Sequence, residues 1–325
     1  MAPRVSIIIP CYNCVRYLSE TLESLERQSC RDFQVICVDD GSTDETPAVL
    51  RQWQEKKSLD MTVIHQENGG VSAARNAGIE AAQTEFVLFL DGDDVYHPDF
   101  VEAMLAAVDK SDADTVYCPL VRNPEDLSKV TVQPGRFTPH EQAQVMENLM
   151  LHMECYGFYC YLYRRDVLRS SGIRFTVGMR NFEDREFNWK YLCHCRSAAW
   201  IDQPMYGYRV TPGSAMSGAM TWERAHSGMA GAERIAEYMR AQSCEYLPVF
   251  ESYLPHRLLW GMLCNCAVRK NRELFDRLAK EYNAKNAMKH LRRSKSLPVK
   301  LSAAAYLICP GWMYHGLALA RKISG

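Results

Sequence analysis

The sequence predicts an α/β fold, a mostly parallel sheet with helices on both faces, followed by a helical C-terminal region. Two observations carry that expectation. Over the first hundred residues short β-branched runs alternate with helix-period segments, and from Thr221 onward the apolar spacing is helical throughout. A length of 325 residues exceeds the ~100–200 of a typical single domain, which suits an enlarged domain with an appended region.

Val5 to Ile9 is a β-branched run ended by Pro10, and Leu18, Leu22 and Leu25 follow at helical spacing, so a buried strand leads into an amphipathic helix. Phe33 to Val38 reads as the second strand. Ser42 and Glu45 fit a capping box, and Pro47 suits the first turn of the helix that carries Leu50 and Trp53. Met61 to His65 is the third strand. The helix from about Ser72 carries Ala73, Ala74, Ala77, Gly78 and Ala81, small enough to approach a neighbour closely. Glu85 to Leu90 is the fourth strand, with a further helix starting near Pro98.

In such sheets ligands bind outside the carboxyl ends of the strands. A polar cluster occupies each of these ends: Cys11-Tyr12-Asn13, Asp39-Asp40-Gly41-Ser42, Asn68-Gly69-Gly70 and Asp91-Gly92-Asp93-Asp94. One edge of the sheet is therefore the expected site.

Apolar residues make up 47% of the chain, without repeats or low-complexity tracts, as in an ordinary folded protein. Net charge is −1 but uneven. No Asp or Glu follows Glu281, whereas eight Lys and Arg do, which leaves residues 1–281 at −9. An acidic body argues against nucleic acid as a partner, since that needs a basic face on the folded domain. Only a five-residue apolar stretch precedes Pro10, too short for a secretory signal, so a cytoplasmic location is expected. The 13 cysteines read as reduced. A redox pair at Cys11 and Cys14, or zinc on Cys193-His194-Cys195 with Cys155 and Cys160, is the weaker reading. No second CxxC completes a tetrahedral site, and nothing else in the chain looks thioredoxin-like.

No G-x-G-x-x-G follows the first strand and no G-x-x-x-x-G-K-[ST] occurs, so the usual backbone cradles for phosphates are absent. Asp91, Asp93 and Asp94 would repel one another without a cation, and their hard oxygens favour Mg2+ or Mn2+. A solvated acidic turn ahead of the next helix is the plain alternative.

The series Ser6-Ile-Ile-Ile-Pro-Cys-Tyr-Asn13, Val38-Asp-Asp-Gly-Ser-Thr-Asp44, Asn68-Gly-Gly-Val-Ser-Ala-Ala-Arg-Asn-Ala-Gly78 and Leu90-Asp-Gly-Asp-Asp94 resembles the family 2 glycosyltransferases in order and spacing. The likeness is close over residues 5–110. It continues more loosely to about residue 217, through Tyr163-Arg-Arg165, Arg174-Phe175, Phe182-Glu-Asp184, Tyr208-Arg209 and Pro212-Gly-Ser214. It implies the GT-A (Rossmann-like) fold and a bacterial surface-polysaccharide type of enzyme. It also implies that Pro10 and Tyr12 line the nucleobase, that Asp39 hydrogen-bonds the base or ribose, and that Arg75 and Asp91 lie close to the nucleotide. Asp93 would bind the metal, Asp184 would be the catalytic base, and Arg209 would meet a phosphate oxygen. Tyr159-Cys160-Tyr161 stands where many relatives carry Trp-Asn-Lys, which leaves the acceptor side open.

The implied reaction is inverting, metal-dependent transfer of a sugar from a nucleotide donor, a UDP-sugar foremost, to a glycan or lipid-linked acceptor. A nucleotidyltransferase would show a Gly-rich loop with Arg or Lys after the first strand, and Cys11-Tyr12-Asn13-Cys14 offers none. A non-catalytic nucleotide-sugar-binding module would have lost Asp93 or Asp184, and both are present.

The expected organisation is a catalytic domain over 1–217, a helical region over 218–284 and a basic, apolar tail over 285–325. Leu301 to Ala320 has no charged side chain with His315 neutral, yet it contains Pro310-Gly311 and several small residues, and basic residues flank both ends. That pattern suits a segment lying in the interface of an anionic inner leaflet better than one that spans. A packed helical hairpin is the other reading.

Overall fold

The computed structural model describes residues 2–146, 157–179, 181–211, 220–294 and 296–323. They fall into two compact units. The first comprises 2–145, 157–179 and 183–211, and the second is made chiefly of 220–294 and 296–323.

In the first unit β1 (Val5–Cys11), β2 (Phe33–Asp39), β3 (Met61–His65) and β4 (Phe86–Phe89) form on the β-branched and aromatic runs. Between and after them come α1 (Val15–Glu26), α2 (Thr46–Lys56), α3 (Val71–Ala81) and α4 (Phe100–Ser111). β1 pairs in parallel with β2 and β4, and β2 with β3. The strands β5 (Val95–Tyr96), β6 (Thr115–Tyr117), β7 (Leu120–Val121), β8 (Thr138–Glu141), β9 (Tyr161–Arg164), β10 (Ser197–Trp200) and β11 (Tyr206–Gly207) follow. Helices α5 (Arg165–Ser170) and α6 (Glu183–Leu192) lie between β9 and β10.

The main sheet has eight strands in the order β3-β2-β1-β4-β9-β6-β10-β8. It is mostly parallel, with helices around it, but β9 is inserted antiparallel to both β4 and β6, and β8 closes the edge antiparallel to β10. The direction of β9 is not readable from its four residues, because it is set by where the chain returns to the sheet. A second, three-stranded sheet, β5-β11-β7, places Tyr206 beside the Asp91–Asp94 loop.

The core follows the apolar pattern. Val5, Ile7, Ile8 and Ile9 of β1 and Leu18, Leu22 and Leu25 of α1 are fully buried. The small residues of α3 serve close packing, since a Cβ on Gly78 would lie 2.3 Å from Cγ2 of Ile8. The capping box expected at Ser42 and Glu45 does not form: α2 starts at Thr46 with no side-chain cap. Ser42 is committed elsewhere, its hydroxyl accepting from the Asn13 amide (3.1 Å) while its own amide donates to Asp39 (3.1 Å).

The second unit is helical: α7 (Trp222–Ala241), α8 (Leu247–Val268), α9 (Arg272–Glu281), α10 (Ala284–Leu291), α11 (Leu297–Ile308) and α12 (Pro310–Ile323). Thr221, Asn271 and Asn283 cap α7, α9 and α10 by accepting from the amides of Arg224, Leu274 and Asn286. Helices α10 and α12 pack on α8, and α11 contacts both α10 and α12. The tail thus contributes Met288, Leu291, Val299, Ala303, Tyr306 and Met313 to a helical core. Its apolar run is broken at Pro310, and no helix among the described residues is long and apolar enough to cross a membrane.

Replacing Gly78 by Ala should destabilise the protein by about 1–3 kcal/mol, because the added methyl overlaps a branched, buried side chain. Urea unfolding measures this, and an unchanged midpoint would mean that α3 and β1 separate freely.

Candidate active site

A cleft of about 640 Å³ opens at the carboxyl ends of β1, β2 and β4 and the N-terminus of α3. All four polar clusters contribute to it. Its walls include Pro10 to Cys14, Arg16 and Tyr17; Asp40; Asn68, Gly70, Val71, Ala74 and Arg75; Asp91 to Asp93; and Thr211.

The loops around the cleft are braced by side chains that accept from backbone amides. Asn13, at φ 49°, accepts from the amides of Thr43 (2.8 Å) and Asp44 (3.3 Å), tying the β1 loop to the β2 loop. Asp40 accepts from the Gly69 amide (2.9 Å) on one oxygen and the Gly70 amide (2.8 Å) on the other, with Gln66 at 2.7 Å, so it shapes the Asn68-Gly69-Gly70 turn. Gly41, at φ 73°, has no room for a Cβ, which would stand 2.9 Å from the Asn68 amide nitrogen. Asp39 is buried behind this wall, holding the Ser42 amide and paired with His65 Nδ1 at 3.0 Å.

Arg75 projects from α3 and is only 5% exposed. Its guanidinium meets Asp91 at 2.8 Å and Glu183 at 3.8 Å, and it lies over the rings of Phe158 and Phe175. Those rings belong to an aromatic floor in which Phe175 and Phe187 stack at 3.9 Å with Phe89 edge-on to both. Among the described residues Nε of Arg75 has no hydrogen-bond partner, and Nη1 has only its 3.8 Å ion pair with Glu183, so this buried guanidinium has donor capacity left for an anionic ligand.

The Asp91–Asp94 loop crowds carboxylates. Asp94 is buried, receives the Tyr206 hydroxyl (2.6 Å) and the Arg209 amide (2.7 Å), and is pushed up to about 8 by burial and then by Asp91. Burial, and next the charge of Asp91, push Asp93 up to about 6. Among the described residues no group of three or more His, Cys, Asp or Glu could hold a metal by itself. Mg2+-type sites are commonly completed by substrate phosphates on one or two carboxylates, and Asp91 and Asp93 at the cleft fit that donor set. Arg209 is tied to this loop, its guanidinium donating to the Asp93 carbonyl (2.8 Å) and to Glu20 (2.6 Å) over the Tyr17 ring.

Beyond Arg75 stands the first turn of α6. Burial, and next Asp184, push Glu183 up, while Asp184 accepts from the Arg185 amide at 2.7 Å. Glu186 of the same turn is buried and bound to Lys190 (2.6 Å) and Thr176 (3.1 Å), a structural role. The Cys14 thiol is pushed up, first by its contact with Cys11 and then by burial, the reverse of a reactive thiolate. Every described cysteine is free.

The structure thus gathers Pro10, Tyr12, Arg75, Asp91 and Asp93 on the cleft and sets Asp39 behind its wall, while the residue across Arg75 from Asp91 is Glu183, with Asp184 next to it in the chain. Pro212, Gly213, Ser214 and Cys155 lie outside the described residues. Sequence reasoning missed the bracing role of Asp40 and the Tyr206–Asp94 pair. The first had a signal, an acid beside a Gly-Gly turn. The second had none, because its partners are more than a hundred residues apart.

The family model described as glycosyl transferase family 2 matches residues 6–172, and the chain belongs to that family, a class of sugar transferases. EpsH of Bacillus subtilis (strain 168), described as a glycosyltransferase, is 29% identical over 85% of this chain and 81% of its own length. The poly(ribitol-phosphate) beta-N-acetylglucosaminyltransferase TarS of Staphylococcus aureus (strain MW2) is 28% identical over 66% of this chain, which spans 37% of that protein. The crystal structure of TarS 1–349 in complex with UDP-GlcNAc matches with a TM-score of 0.62 at 20% identity, covering 99% of this chain and 92% of that one. The Pyrobaculum calidifontis mannosyltransferase in complex with GDP-Man and Mn2+ matches at 0.55 and 18% identity, over 99% and 88%. These likenesses establish the GT-A fold expected from the sequence.

Asp93→Asn should raise the thermal midpoint of the metal-free protein, since a neutral isostere removes a half-buried charge beside Asp91; each 1 kcal/mol is worth roughly 2–4 °C in a unit of about 150–250 residues. The folded-state value of about 6 lies above the ordinary 3.8, so ionisation costs stability as pH rises between the two. The gain is therefore full above about pH 6 and vanishes below 3.8. Thermal unfolding across that range, without added divalent ions, checks it.

Proposed function

We propose that this protein is an inverting, divalent-metal-dependent glycosyltransferase that moves a sugar from a UDP-linked donor to a hydroxyl of a glycan or lipid-linked acceptor in bacterial polysaccharide assembly. The observation that carries this reading is the junction at Arg75, where one buried guanidinium meets Asp91 on the cleft and Glu183 beside Asp184. The cleft and an acid pair are thereby held next to each other, an arrangement that suits transfer between two substrates.

In this reading Pro10 and Tyr12 flank the base, with Asp39 supporting that wall, and Asp91 faces the ribose. Asp93, with Asp91, would hold Mn2+ or Mg2+, which when bound offsets the charge that grows on the departing diphosphate. The Nε of Arg75, without a hydrogen-bond partner among the described residues, is suited to an anionic oxygen of the donor. Arg209, through its ties to Asp93 and Glu20, positions the loop and borders the phosphates. Asp184 takes the proton of the acceptor hydroxyl as it attacks the anomeric carbon opposite the leaving group, and the configuration inverts. UDP as donor nucleotide is supported by the UDP-GlcNAc in the TarS complex, and the cation by the Mn2+ in the mannosyltransferase complex. The enzyme would work in the cytoplasm, peripheral to the inner face of the membrane where a lipid-linked acceptor resides.

Titration calorimetry against UDP, GDP, CMP and dTDP, with and without Mn2+, tests the donor side. Mn2+-dependent binding of UDP alone, abolished by Asp93→Ala, is expected; failure of every nucleotide to bind with Mn2+ present would refute it and favour a non-catalytic module. Once the sugar is known, Asp184→Asn should leave donor binding intact and lower kcat by ~10²–10⁴-fold.

A further inference from the structure

Among the described residues, every exposed Leu, Ile and Trp lies between positions 297 and 312: Leu297 is 63% exposed, Leu301 60%, Ile308 70% and Trp312 60%. At 3.6 residues per turn the three aliphatic side chains fall within about 40° of one another around α11. The opposite face of the same helix, Val299, Ala303 and Tyr306, is buried in the helical unit, and Ser302 is pinned by the Trp260 indole at 2.8 Å. Helix α11 is thus apolar on two sides, and only one of them is used by the fold.

The surroundings of the unused side are basic. Arg292, Arg293 and Lys300 are exposed around its N-terminal end, with Lys289 a turn earlier, and no acidic residue follows Glu281. With 12 residues in α11 and 14 in α12, the helices reach ~18 and ~21 Å, short of the ~30 Å of a bilayer core. A short helix with exposed Leu and Ile, followed by an exposed Trp in the first turn of the next helix and set beside a basic rim, has the composition of a segment that lies flat in a headgroup layer, the rim meeting lipid phosphates.

We propose that Leu297, Leu301, Ile308 and Trp312, with Arg292, Arg293 and Lys300, form a docking face for an anionic phospholipid bilayer. The face rests on the membrane-side placement proposed above, and it gives that placement its residues and its lipid class. Docking orients the enzyme at the surface without a spanning segment.

Flotation of the full chain with vesicles of phosphatidylcholine, alone or mixed with phosphatidylglycerol, tests the face. The protein should partition onto the anionic vesicles only. Leu301→Ser with Trp312→Ser should weaken partitioning about tenfold or more, as should Arg292→Glu, Arg293→Glu and Lys300→Glu together. Both variants should keep the parent's thermal midpoint and its nucleotide binding, which separates loss of docking from loss of fold. Equal partitioning onto neutral vesicles, no partitioning at all, or variants that partition like the parent would overturn the proposal. So would a dimer in analytical ultracentrifugation that Leu301→Ser and Trp312→Ser convert to monomer, since the face would then join two copies of the chain. Nucleotide binding is read without vesicles, so failure of the donor assignment and failure of the docking face are separate results.

Discussion

Arg75 carries a permanent positive charge into a place that water hardly reaches, and the groups around it are arranged accordingly. Its guanidinium lies on the faces of Phe158 and Phe175, which are themselves fixed by Phe89 from β4 and Phe187 from α6. The planar fork then reaches Asp91 on one side and Glu183 on the other. Such a charge is tolerated only while it is paired, and removing one partner of a buried pair typically costs about 3–5 kcal/mol. The first turn of α6 and the end of β4 are therefore held to each other by electrostatics as well as by ring packing. Lysine could not substitute, because a point charge has neither the flat face nor the fork.

Around that junction, the loops are fixed by a second device: carboxylate and amide side chains that accept from the backbone of a different loop. Asn13 ties the first loop to the second, and Asp40 ties the second to the third. Asp94, through Tyr206 and the Arg209 amide, ties the fourth to the small sheet. Each tie satisfies amides that a tight turn would otherwise leave bare. The cleft is thus shaped before any ligand arrives, which lowers the ordering cost of binding.

Much of this was legible in the sequence. The strands β1 to β4 and the helices between them follow from β-branched runs, apolar spacing and small residues, all of which act locally. The convergence of four polar clusters follows from the parallel arrangement itself. What stayed hidden depends on distant partners. The antiparallel entry of β9, the use of Ser42 as a loop brace rather than a helix cap, and the Tyr206–Asp94 contact are decided by tertiary placement. Asp39 and Asp40 are adjacent and alike in sequence, yet only the packed loops show that Asp40 stands in the cleft wall with Asp39 behind it.

The inserted strand β9 divides the sheet into two parts of different origin in the chain. On one side of it, β1 to β4 come from a single continuous stretch, residues 5–89, in which β1–β2 and β2–β3 pair over 28 and 26 positions and β1–β4 over 81. On the other side, β6, β8 and β10 are gathered from stretches tens of residues apart. Local pairings form quickly and distant ones slowly. The three strands β1 to β3, paired over fewer than thirty positions, are thus able to act as a template on which the remainder is laid. Connections in the remainder tolerate change, since doubling a loop adds only about 0.6 kcal/mol of closure cost. The half made of β6, β8, β9 and β10 can therefore be lengthened at its connections while the β1 to β4 half, with the cleft at its edge, stays as it is.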